Sequence, residues 1–301
     1  MQGRFPAVAA RVRQVYGLRL PRHVAVVCAL WASASSVERA ALNHLGVWPF
    51  GLTEYFGDGG LRLTGRDGLD ERLHARYRRD PPEFVTVLSG GTDGLHYGLW
   101  YDDPADLPSL LVYNYARDDA VTWASTAATM LGEIRRGAQQ AVQDFGEDQY
   151  DEDVRLILPV FAALDWFADA DQSALEADGL PPGAAGNRQS SAVSVFPALP
   201  AGCGDPQLAR SEERVRAFRE GGTAAAQWIT LSRDQLAAGK PALALAVGGE
   251  LHWTDLDQYR QASHDLLAGA YRALGRDALA GIAEVHVAHR DLRSVGVLVP
   301  S

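Results

Sequence analysis

The sequence predicts an α+β protein: helices with a small antiparallel meander sheet in the N-terminal half, and a mainly helical C-terminal half. Three observations lead there. Runs of β-forming residues crowd into one stretch, residues 83–115, and the loops between them are too short for crossover helices. Helical spacing of apolar residues flanks that stretch on its N-terminal side. Beyond residue 147 almost every segment reads as helix.

The elements follow in order. Pro6 to Val15 reads as a short amphipathic helix. Pro21 suits a helical first turn, and His23 to Trp31 continues it with apolar residues around most of the circumference. Ser36 to Leu45 is a third helix, with Ser35 or Ser36 as cap and Gly46 as stop. Pro81-Pro82 fixes two φ angles and drives Asp80 out of helical space. Glu83 to Leu88 is then a strand, Ser89 to Gly94 a turn, Leu95 to Tyr101 the returning strand, and Ser109 to Tyr115 a third. Thr126 to Val142 forms a helix. The acidic stretch Glu147 to Asp153 marks a boundary between two units, 1–146 and 147–301. Asp153 to Phe167 is an apolar helix interrupted near Pro159, Asp178 to Ser191 a flexible loop, and Ala192 to Phe196 a strand. Helices close the chain at Asp205–Arg219, Thr223–Ala237, Asp255–Leu274 and Asp277–His289, the last two parted by Gly275. There is no internal repeat.

Composition bounds the function. A net charge of −10 over 301 residues argues against a general binder of nucleic acid or anionic membrane. Lys240 is the one lysine among 28 basic residues, a bias that points to a GC-rich bacterial genome. Cys28 and Cys203 make neither a disulfide framework nor a zinc site, which suits a reducing compartment. The N-terminus lacks an apolar signal core, and Val24 to Trp31 is too short to span a bilayer, so a cytoplasmic protein is expected.

The segment from Leu73 to Pro104 is the most distinctive in the chain. LHARYRRDPPEF at Leu73 to Phe84 carries a Leu-His-x-Arg-(aromatic)-x-x-Asp-Pro-Pro-Glu-Phe pattern, and LHYGLWYDDPADLP at Leu95 to Pro108 continues it. With YGLRLPRHVAVVCALWASA at Tyr16 to Ala34, LAVGGELHW at Leu245 to Trp253 and LLAGAYRALGRDALAGIAEVHVAHR at Leu266 to Arg290, the chain resembles the histone PARylation factor family. The resemblance implies a non-enzymatic accessory protein that works with a poly-ADP-ribose polymerase and needs no cofactor. It assigns Asp80, Pro81, Pro82, Glu83, Phe84, His286 and Arg290 to the structural motif of the family.

The sequence departs from the family where the chemistry lies. The animal factor presents an Asp-Glu pair whose glutamate takes the proton of the acceptor serine. The counterpart here is Asp234-Gln235, and Gln235 has no ionisable carboxylate. A family arginine is also missing from AGCGDPQ, Ala201 to Gln207. The loop around Arg233, Asp234 and Gln235 is therefore the expected contact with a partner protein, with Asp234 the one catalytic candidate.

Other constellations are weighed against structural roles. Within the pattern Glu284-x-His286-x-x-His289, the two histidines are three apart, as on metal-binding helices, but no third ligand is identifiable, so no metal is expected. His96-Tyr97 resembles an element of diphtheria-toxin-like ADP-ribosyltransferases; a dipeptide without a glutamate and pocket does not make that enzyme. Arg76 and Arg78 share a face if extended and are anion-binding candidates, against pairing with Asp80, Glu83 or Asp102. No P-loop or G-x-S-x-G motif is present. The leading expectation is an ADP-ribosylation accessory factor binding its partner, an ADP-ribosyltransferase, through the C-terminal half. The alternatives are an immunity-type protein that neutralises a toxin, and an enzyme acting on ADP-ribose or NAD.

Overall fold

The computed structural model describes residues 1, 3–147, 151–179, 193–205 and 211–301. Three helices open the chain: α1 (Phe5–Tyr16), α2 (His23–Ser33) and α3 (Ser36–His44). The α3 start is a capping box: Ser35 accepts from the Glu38 amide, and the Glu38 carboxylate accepts from the Ser35 amide at 2.7 Å. The strands β1 (Trp48–Pro49), β2 (Leu63–Gly65), β3 (Phe84–Ser89), β4 (Leu95–Trp100), β5 (Leu110–Tyr115) and β6 (Thr122–Ala124) follow. Next come α4 (Met130–Glu147), α5 (Asp151–Ile157), α6 (Pro159–Asp178), α7 (Glu212–Glu220), α8 (Gly222–Ala237), α9 (Ala242–Thr254), α10 (Arg260–Ala273) and α11 (Asp277–Ala288), and β7 (Leu298–Pro300) ends the chain. No single helix among the described residues is long and apolar enough to cross a membrane.

The sheet is antiparallel throughout, in the order β1-β3-β4-β5-β6, so the α+β expectation with its meander is met. β3 is buried along its whole length because both of its faces are covered. A bulge between Thr86 and Leu88 shifts its register against β4. Gly98 sits opposite Thr86, where a Cβ would lie 2.7 Å from the Val85 carbonyl and 2.9 Å from Phe84 Cζ. Only glycine lets β4 lie flat against that part of β3.

Two of the differences from the sequence reading bear on the core. α9 went unforeseen, because Gly248-Gly249 breaks the apolar pattern. Its Gly248 is there for packing: a Cβ would meet Leu267 Cγ of α10 at 2.9 Å. The strand expected over Ala192–Phe196 reduces, in its described part, to an isolated bridge at Val195. The acidic stretch at 148–150, the loop at 180–192 and the segment 206–210 lie outside the described residues.

One apolar core runs from Val8 and Val12 of α1 through the sheet residues Val85 and Leu99 to Leu243, Leu266 and Ile282 of the last helices. A smaller cluster, Phe84, Trp100, Leu110, Val112 and Val195, covers the other side of the sheet. The second strand pair, β2 with β7, ties the chain end to the N-terminal half. His74 reinforces that tie, its Nδ1 accepting from the Val297 and Leu298 amides at 3.1 and 3.2 Å.

Candidate functional site

The Asp80–Phe84 block lies on a seam against α9, α10 and α11. After the two prolines the Phe84 amide donates to the Pro81 carbonyl at 3.0 Å, closing a tight turn that points Asp80 one way and Glu83 the other. Asp80 is 1% exposed. Its carboxylate accepts from the Tyr77 amide at 2.7 Å and faces His96 Nε2 at 3.2 Å, while His96 Nδ1 faces the Gly94 carbonyl at 2.8 Å. The turn is thereby clamped to β4.

From the other side comes His252 of α9, which donates from Nε2 to the Asp80 carbonyl at 3.0 Å. Burial pushes His252 well below the ordinary histidine range, and Arg290 beside it pushes further the same way, so the ring is neutral. His286 of α11 stacks edge-on at 5.2 Å and is lowered in the same manner, first by burial and then by His252. Arg290 donates to the His252 carbonyl and pairs with Asp255 at 2.6 Å. Asp255 closes α9 at φ 56, a left-handed position that aspartate tolerates, and it also takes Arg78.

Both anion candidates thus have partners within the chain. Arg76, 7% exposed, donates to the Pro81 and Phe84 carbonyls at 3.0 and 2.9 Å. Arg78 bonds Asp255 and, at 2.8 Å, Asp291. Neither arginine hydrogen-bonds an acid near it in sequence, although the Asp80 and Glu83 charges act on Arg76. Glu284 of the histidine motif pairs with Arg272, His289 bonds the Val285 carbonyl at 3.1 Å, and no metal-ligating cluster occurs among the described residues.

Glu83 is the electrostatic centre of the seam. It is 4% exposed, and burial raises its carboxyl from 4.5 to about 7, partly offset by Tyr271 and Arg276. Tyr271 faces the carboxyl, although its hydroxyl meets full hydrogen-bond geometry with no described group. Glu83 lines a cleft with Pro82, Trp100, His252, Trp253 and Tyr271 whose free volume is about 40 Å³. That is room for one or two waters, far below what a nucleotide occupies.

Residues 60–152 match the family described as Histone PARylation factor 1. Over this segment the chain is similar to the histone PARylation factors. The matched segment runs from just before β2, through the block and the sheet, to the start of α5. The motif residues read from the sequence, Asp80 to Phe84 with His286 and Arg290, meet on this one seam. His252, Asp255, Tyr271 and Arg276 complete it and were not among the expected site residues, although His252 lies within LAVGGELHW and Tyr271 and Arg276 within the last family-like segment; Asp255 carried no signal.

Arg233, Asp234 and Gln235 stand elsewhere, on the last turns of α8 rather than in a loop. Ala225, Ile229 and Ser232 bury one face of that helix, and the buried Arg214 lies over Trp228 at 5.5 Å. Arg214 itself forms a two-pronged pair with Glu250 at 2.9 and 2.6 Å, both side chains almost fully buried. The outward face carries Ala224, Gln227, Leu231, Asp234 and Ala238, with Leu231 42% exposed.

Proposed function

We propose that the chain is an accessory factor of ADP-ribosylation that binds an ADP-ribosyltransferase through the outward face of α8. The family match over residues 60–152 is the observation that carries this reading. The seam supports it from the side of chemistry. Its titratable groups are used to join β3 to α9 and α11, and the cleft beside Glu83 has no room for a nucleotide substrate. A protein with this seam works by presenting a surface. The face of α8 suits that task, because Ala224, Gln227, Leu231 and Ala238 are exposed and uncharged in a chain that is otherwise rich in surface charge. With Gln235 in place of a carboxylate, Asp234 is the acid that α8 brings to the interface.

The test is a titration of the whole chain against the catalytic domain of a poly-ADP-ribose polymerase, paired with a serine-modification assay. Leu231→Glu is expected to abolish association while leaving the unfolding temperature within a few degrees of the parent. Asp234→Ala with unchanged binding and unchanged modification removes Asp234 from the interface. NAD bound tightly by the isolated chain would overturn the accessory reading in favour of an enzyme.

A further inference from the structure

A second opening lies away from the seam, between α3, β4 and α4. Its volume is about 200 Å³, and its walls are mainly apolar, Leu45, Val47, Leu88, Ile134, Ala138, Ala141 and Phe145, with His44, Tyr97, Glu133 and Gly137 among them. An apolar cavity of roughly 150 Å³ is enough to take up benzene.

Gly137 is the telling residue. It stands in the middle of α4, where glycine costs about 1 kcal/mol against alanine. Of the other helical glycines, Gly248, Gly269 and Gly281 answer to close packing, each Cβ meeting a neighbour within 3 Å, while Gly249, like Gly137, has open space beside it. A Cβ on Gly137 would meet nothing within 4 Å. No packing inside the molecule calls for glycine there; its effect is to keep one wall of the pocket low.

The polar groups define what fits. Glu133 is 3% exposed, and its carboxylate accepts from Ser125 and twice from Arg136, which uses three of the roughly four acceptor positions a carboxylate offers. Arg136 pairs with Glu133 and His44 faces Asp153 at 3.1 Å, so the ionisable groups at the pocket already have partners and call for no charged ligand. The Tyr97 hydroxyl makes no hydrogen bond to a described residue, and burial, with Glu133 next, raises the phenol so that it stays protonated.

We infer that this pocket binds a small neutral aromatic molecule of one or two fused rings carrying a single hydrogen-bond donor, with the ring against Leu88, Ile134 and Phe145 and the polar atom between Tyr97 and Glu133. Indole is the probe. Titration of the full chain, followed by methyl NMR and calorimetry, is expected to saturate with a Kd of about 0.1–1 mM, the range for a ligand of this size. Contacts should appear to the Leu88 and Ile134 methyl groups.

Gly137→Leu should fill the space, reduce affinity at least about tenfold and hold or raise the unfolding temperature, since leucine is the better helix former. If that variant does not fold, Tyr97→Phe serves, with an expected loss of about fivefold for one hydrogen bond. Benzoate should bind far more weakly, because its carboxylate has no hydrogen to donate to Glu133 or Tyr97 and would lose its hydration on entering. Absence of saturation by about 5 mM indole, unchanged affinity in Gly137→Leu, or contacts to other methyl groups would each overturn the assignment.

Discussion

Replacing Glu83 by glutamine tests the electrostatics of the seam directly. The folded carboxyl titrates at about 7 against 4.5 for a free glutamate. Between those values the folded protein holds a proton that the unfolded chain has released. Stability from this group is therefore lost as pH rises through that window. At 1.36 kcal/mol per pKa unit the full effect is about 3 kcal/mol at pH 8 and about 1 kcal/mol at pH 5. Glutamine keeps the shape and does not titrate. The expected result is that Glu83→Gln gains on the parent by about 2–3 kcal/mol between pH 5 and pH 8. Urea unfolding followed by tryptophan fluorescence at both pH values measures it. Other groups titrate there too: burial raises Asp171 to about 6 and lowers His23 to about 4, with opposite effects on the slope. The difference between parent and variant cancels them. A gap that does not change with pH would mean that Arg276 and Tyr271 keep Glu83 ionised, and the reasoning would fail.

Gly98→Ala should destabilise by about 2–3 kcal/mol, read as a fall in unfolding midpoint, because the new methyl group would press into the Val85 carbonyl and Phe84 ring. Arg214→Met leaves Glu250 buried without its partner and should cost about 3–5 kcal/mol; the double variant with Glu250→Leu should recover most of that by the same measurement. Asp255→Ala strips Arg290 of its carboxylate and is expected to cost about 3 kcal/mol in denaturant unfolding. Asp255→Asn should cost less, since asparagine also tolerates the left-handed backbone there.

The parts of this fold legible in the sequence were those fixed by local chemistry. The serine cap at Ser35 or Ser36, the diproline, and the glycine turn between two β-rich runs each signal a structure without help from the rest of the chain. β1, β2, β6 and β7 were missed because two or three residues cannot show alternation. The site divides in the same way. The Asp80–Phe84 block was visible as a pattern, but its partners were not. Arg78 reaches Asp255 and Asp291 across 177 and 213 residues, and no rule of spacing selects them over nearer acids. Arg76 takes carbonyl oxygens instead of carboxylates, a choice set by its burial. The ionisation of Glu83 depends on Tyr271 and Arg276, which belong to α10 and the turn after it.

The bond from His74 to the Val297 amide spans 223 residues. At a synthesis rate of about 5–20 residues per second, roughly 10–45 seconds pass between the emergence of the two. Throughout that time β2 lacks its only paired strand among the described residues, and Arg78 waits for Asp255 and Asp291. The proline-containing turn is local to a few residues, but its surroundings are completed only once residues 252–291 have been added. A chain broken off before those residues leaves its most characteristic segment without the helices that cover it.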